Sequence, residues 1–248
     1  MVVGVKKSIY PQNSMSINAL YAEYVRIAVE KYHAAKQAKL KFETRVEADA
    51  SLQELKQNSI VSIVFSAMCI ESFLNEYASA CIGDSEFYGS FDTLSPEGKL
   101  MLISRFLFGM NLDKSQALYS CFKRLFKDRN QLVHNKSIHY DFESYYAEHP
   151  AFPMPVSEDM IPNESEAEWD CEYIIEQQNT LKLLHGAKNG IQAIIEVARY
   201  FDANDVNANA IISLFYPAIP RSVFDTDSPY NNTLREFQIS KYIPTNGS

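Results

Sequence analysis

IVSIVFSAMCI, residues Ile60 to Ile70, is apolar on nearly all sides, and whether it is strand or helix decides the fold class. Taken alone, Ile60 to Phe65 has the β-branched and aromatic content of a buried strand. Its flanks decide for helix. From about Asp49 to Ile82 the composition is helical, with neither Gly nor Pro, and Gly83 supplies the stop. A helix that is apolar all round belongs at the centre of its fold.

The neighbouring text reads as helix on both sides. Upstream, Ser16 to about Arg45 places Leu20, Tyr24, Ile27, Val29 and Tyr32 near helical spacing and should pack lengthwise on the central helix. Downstream, Ser95 followed by Pro96 is a good cap and first turn for a third, shorter helix ending near Gly109. A fourth begins near Ser115, with Leu118, Leu125 and Leu132 one heptad apart on its buried face. The fifth runs from about Glu166 to Tyr200, with Gly186 and Gly190 as weak points. These segments predict an all-α protein, an up-and-down bundle of about five helices occupying residues 1–202.

Two stretches fall outside that pattern. Residues 137–165 form an acidic insertion, and Pro150, Pro153, Pro155 and Pro162 forbid a regular helix through it. Residues 203–248 read as a C-terminal extension: Asn-rich text, then AIISLFYPAIP, then SPYNNT, best taken as a short strand or an extended arm. Ile211 to Ile219 is apolar enough to need cover, either on its own bundle or on a second subunit.

Composition narrows the function classes. A chain of 248 residues that is 46% hydrophobic can bury a sizeable core as one domain with an appendage. The opening text MVVGVKKSIYPQNS has no long apolar run or small-residue cleavage site, and no stretch reaches the ~18 uninterrupted apolar residues of a membrane span. A cytoplasmic protein with no membrane partner is expected. Cys69, Cys81, Cys121 and Cys171 lack zinc or redox spacing and read as reduced core thiols. With eight Gly there is no phosphate-cradling loop or dinucleotide fingerprint, so no nucleotide cofactor is expected. His33, His134, His139, His149 and His185 are scattered, which gives no metal-ligand set.

Charge is uneven. The total is −8, yet Ser137 to Leu181 carries eleven acids and no Lys or Arg, leaving 20 acids against 23 bases elsewhere. Lys114 to Lys136 holds six bases (Lys114, Lys123, Arg124, Lys127, Arg129 and Lys136) against Asp128 alone. Affinity for phosphates follows local basic surface, so the acidic total leaves a nucleic-acid partner open.

That basic helix, SQALYSCFKRLFKDRNQLVHNK, also concentrates the side chains suited to chemistry: Arg129, Asn130 and His134. On an ideal helix Arg129 and His134 stand about 7.5 Å apart along the axis and roughly 140° apart around it, whereas Asn130 and His134 share a face. One helix cannot close a site from them. Two copies crossing on a twofold axis bring each arginine toward the other copy's histidine.

An Arg, an adjacent polar residue and a His four to six positions after the Arg resemble the motif of the HEPN (higher eukaryotes and prokaryotes nucleotide-binding) superfamily. Two further stretches share the resemblance, CIESFLNEYA from Cys69 to Ala78 and LSPEGKLMLI from Leu94 to Ile103, so that it spans roughly residues 50–140. The resemblance implies a homodimer with a composite site that cuts RNA without a metal, leaving a 2′,3′-cyclic phosphate and a 5′-hydroxyl. It also implies a toxin or phage-defence setting, with an antitoxin or other defence-system subunit as a possible partner.

In that chemistry the 2′-hydroxyl is the nucleophile, and neutral His134 takes its proton or protonates the leaving oxygen. Arg129 forks onto phosphate oxygens, Asn130 orients His134 or donates to the phosphate, and Lys123, Arg124, Lys127 and Lys136 steer the strand. Glu71 and Asn75, one turn apart on the second helix, are expected to brace Arg129 from behind.

Other readings of the same residues stand beside this one. His134 is also placed to be a core histidine satisfied by Asn130, Arg129 to pair with Asp128 or Glu71 structurally, and Lys123, Arg124 and Lys127 to form an ordinary solvated face. The superfamily further includes non-catalytic modules that bind RNA, a nucleotide or a partner protein. A helical scaffold without a ligand is the third alternative. The acidic insertion beside the basic helix is expected either to compete with RNA or to act as a solubilising loop.

Overall fold

Helix α2 runs from Ala48–Ile82 without a break, so Ile60 to Phe65 is helical. The structure, a computed structural model, describes residues 20–44, 48–83, 87–133, 164–205, 207–215 and 235–239. Around α2 stand α1 (Leu20–Glu43), α3 (Pro96–Leu102), α4 (Ala117–Val133), α5 (Glu164–Asn204) and α6 (Ala210–Phe215). The fold is all-α, with no strand among the described residues.

α2 is central because its buried residues face several neighbours at once. Ile63, Ala67, Ile70, Phe73, Leu74 and Tyr77 join one core with Val25 and Val29 of α1, Phe122 and Leu125 of α4, and Ile191, Ile194 and Phe201 of α5. By length and mean hydropathy α2 is apolar enough to cross a membrane, and half of that window is buried inside the fold. Its serines make close approach possible. Ser62 Oγ donates to Ala28 O of α1 at 2.9 Å. At Gly190 of α5 an added Cβ would lie 2.8 Å from Ser66 Oγ and 2.9 Å from Ser66 Cβ. The glycines expected to weaken α5 therefore leave it unbroken; Gly190 is where it presses on α2, and Gly186 lies against Ile63 and Asp128.

Punctuation falls where the residue types put it. Gly83 ends α2 with φ +98°, and Gly109 follows the third helix with φ +68°, both in the left-handed region that favours glycine. Ser95 caps α3 by accepting from Gly98 N at 3.2 Å, with Pro96 in the first turn. What the sequence reading did not anticipate are two π-helical turns, Phe87–Phe91 and Ile103–Leu107, the second prolonging α3.

The C-terminal text departs from expectation. Ala210–Phe215 is a helix, neither strand nor extended arm, and Ala210, Ile211, Leu214 and Phe215 are buried in the main core. The reason is local. Asp202, at the end of α5, accepts from Ala210 N and from Ile211 N (3.2 Å), satisfying the new helix's first amides. Phe237 and Ile239 enter the same core, so these parts of the tail are covered by their own chain. The acidic insertion over 137–163 lies outside the described residues, and its expected last residues, Glu164 and Ser165, already belong to α5.

Candidate functional site

Arg129 follows Leu125 and Phe126 by one helical turn and Phe122 by two, so it sits on the apolar stripe of α4 that faces the core. A charge there needs a partner. It has two. Arg129 Nη2 reaches Glu71 Oε2 on α2 at 3.2 Å, and Nη1 donates to Asn130 Oδ1 at 2.9 Å. The guanidinium carbon also lies 5.8 Å from the centre of the Phe126 ring, a cation–π distance. Arg129 and Glu71 are partly buried, with 25% and 31% of their side chains exposed.

Glu71's other oxygen meets a second cation. Lys99 Nζ lies 3.7 Å from Glu71 Oε1 and 3.7 Å from Asp92 Oδ1, and the Lys99 side chain is only 1% exposed. Lys99 lies one turn before Ile103, on the buried side of α3, with its ammonium 6.0 Å from the centre of the Phe91 ring. The three stretches that carry the resemblance thus each send one charged side chain into a single network: Glu71 from α2, Lys99 from α3 and Arg129 from α4.

Not every expected residue joins. Asn75 is one turn from Glu71, but its Oδ1 is buried without a hydrogen-bond partner among the described residues. His134 and Lys136 lie outside the described residues. Lys123, Arg124 and Lys127 are exposed on the outer side of α4 and form no ion pair among the described residues. Asp128 turns toward α5, where burial holds its carboxyl above the ordinary value while Arg124, Lys127 and His185 pull it down. It is not the partner of Arg129.

Lys99 and Asp92 were missed in the sequence. The one available signal was position, since Lys99 stands one turn before Ile103 on the apolar face of a short helix, where a lysine that is buried needs a charged partner. Among the described residues no group of three His, Cys, Asp or Glu side chains is placed to hold a metal ion. Cys69, Cys81 and Cys121 are free thiols, and burial pushes the Cys81 thiol up to about 12.

Chemically, the arrangement presents a partly buried guanidinium held by Glu71 and Asn130 on the core-facing side of α4, while Lys123, Arg124 and Lys127 stand exposed on the other side of the same helix. No protein-family model, curated protein or solved structure matches the chain.

Proposed function

We propose that this chain is an RNA-directed protein of HEPN type, a metal-independent endoribonuclease that acts as a homodimer in a toxin or phage-defence setting. The observation that carries the reading is the joining of Glu71, Lys99 and Arg129, one from each stretch that resembles the superfamily.

In this reading Arg129, held by Glu71, stabilises the charge that develops on the phosphate. His134 from the second copy takes the 2′-hydroxyl proton as that oxygen bonds to phosphorus, and returns it to the 5′-oxygen as the P–O5′ bond breaks, leaving a 2′,3′-cyclic phosphate and a 5′-hydroxyl. Asn130 holds one guanidinium nitrogen and sets its direction. Exposed Lys123, Arg124 and Lys127 draw the strand in. The test is purified protein and RNA in excess chelator. Cleavage with 2′,3′-cyclic phosphate ends is expected, and it is lost in His134→Ala and Arg129→Ala. Cleavage that needs a divalent ion, or that survives His134→Ala, removes the proposal.

One observation favours a second reading. Arg129 already spends a nitrogen on Glu71, as an anchoring residue does, and this suits a module that binds RNA, a nucleotide or a partner protein without turnover. RNA binding by fluorescence anisotropy, with no cleavage over hours, would select it.

A further inference from the structure

We propose that Lys99 is a buried counter-charge that lets Glu71 hold Arg129 without cancelling its positive charge toward phosphate. This positioning role rests on the reading of Arg129 as a phosphate-binding residue.

Glu71 has one negative charge and two cations, Arg129 at 3.2 Å on Oε2 and Lys99 at 3.7 Å on Oε1. The three side chains together carry one positive charge. Without Lys99 the Glu71–Arg129 pair is neutral, and an arriving phosphate has to compete with Glu71 for the guanidinium. With Lys99 present, Glu71 keeps its grip on Arg129's direction while its field is offset from behind.

Burial decides which charges count. Lys99 is 1% exposed, so water screens its pull on Glu71 weakly, whereas Asp92, the other acid near it, is 55% exposed and well screened. Packing gives no reason for an ammonium here. Lys99 sits beside Leu100 and Ile103 and under Phe91, where an apolar side chain would serve packing but would leave Glu71 without its second cation. What an apolar residue lacks is the charge.

The test compares wild type, Arg129→Gln, Lys99→Met, Lys99→Arg and Glu71→Gln/Lys99→Met, each titrated into a fluorescein-labelled single-stranded oligoribonucleotide at one salt concentration. Wild type binds and Arg129→Gln binds more weakly if Arg129 meets phosphate. Should either fail, the reading of Arg129 is lost and the role of Lys99 goes with it. With both in place, Lys99→Met is expected to weaken binding about tenfold, the order for removing a single charge that acts through Glu71 and does not touch the phosphate, and Lys99→Arg to retain it. Adding Glu71→Gln to Lys99→Met is expected to restore most of the affinity, because it removes the acid left unbalanced. A residue that serves packing alone is not rescued by a second polar substitution. Wild-type affinity in Lys99→Met, or a double variant that binds no tighter than Lys99→Met, overturns the proposal. If circular dichroism shows Lys99→Met unfolded, Lys99→Gln, which keeps a polar side chain of similar length without the charge, decides: weakened binding by the folded variant supports the role, and wild-type affinity overturns it.

Discussion

A carboxylate forced into a poorly hydrated seam is ionised at a cost, and Asp128 is such a group. Burial between α4 and α5 is the main influence and raises its pKa, against the opposing charges of Arg124, Lys127 and His185. For an acid whose folded-state pKa lies above its unfolded value, the ionised form opposes folding at neutral pH. The penalty disappears as pH falls through the folded-state value. Asp128→Asn is therefore expected to melt higher than wild type at pH 7, with the gap closing toward about pH 4, where an unfolded Asp also protonates. Calorimetry across that range checks it; a lower melting temperature at pH 7, or a gap independent of pH, counts against the assignment. The residue scale is also where the site was partly legible. Arg129 and Glu71 were both singled out in the sequence, and the structure pairs them. Lys99 was not, because its signal is weak: it shares a face with Ile103 one turn on, but lysines on such faces ordinarily reach water, and only the tertiary packing buries this one.

At the scale of elements, small residues set how closely helices approach. Gly190 faces Ser66 so tightly that a Cβ would stand 2.9 Å from Ser66 Cβ, an atom fixed to the backbone of α2. Gly190→Ala gains roughly 1 kcal/mol of helix propensity, but forcing the helices apart costs about 1–3 kcal/mol. Net destabilisation is expected, and chemical denaturation should show it. At Gly186 the nearest atom is the flexible end of Ile63 at 3.0 Å, so Gly186→Ala should cost less. Equal effects of the two substitutions would contradict this account. The same scale explains what the sequence disclosed and what it hid. Long helices were readable because period, Gly83, Ser95–Pro96 and Gly109 all agree with the observed starts and stops. α6 was not, because AIISLF is short, β-branched and aromatic, and its cap, Asp202, stands eight residues before Ala210 and donates nothing to a local pattern. Glycines in α5 were read through intrinsic propensity, while packing between helices decides their place.

Across the whole molecule, one carboxylate joins the end of the described chain to two of its long helices. Glu236 accepts from Tyr32 Oη at 3.0 Å and from Lys36 Nζ at 2.6 Å, both on α1, and lies 3.7 Å from Lys188 Nζ on α5. Phe237 and Ile239 beside it are buried in the main core. Burial alone pushes the Glu236 carboxyl up, but hydrogen bonds from Lys36 and Tyr32 and the charges of Lys36 and Lys188 outweigh it and hold the group below its ordinary value. A depressed folded-state pKa gives stability that is complete above the unfolded value of about 4.3 and is lost as pH falls through the folded-state value. Glu236→Gln is thus expected to melt below wild type at pH 7, and the two should converge as the solution is acidified below about pH 4. Because the contact closes a sequence separation of 204 residues from Tyr32, its loss also frees the tail segment before the bundle melts. Limited proteolysis at pH 7 should then cut Glu236→Gln near residues 235–239 sooner than wild type, while equal cleavage and equal melting at every pH would show that the apolar anchors Phe237 and Ile239 hold the tail without the carboxylate.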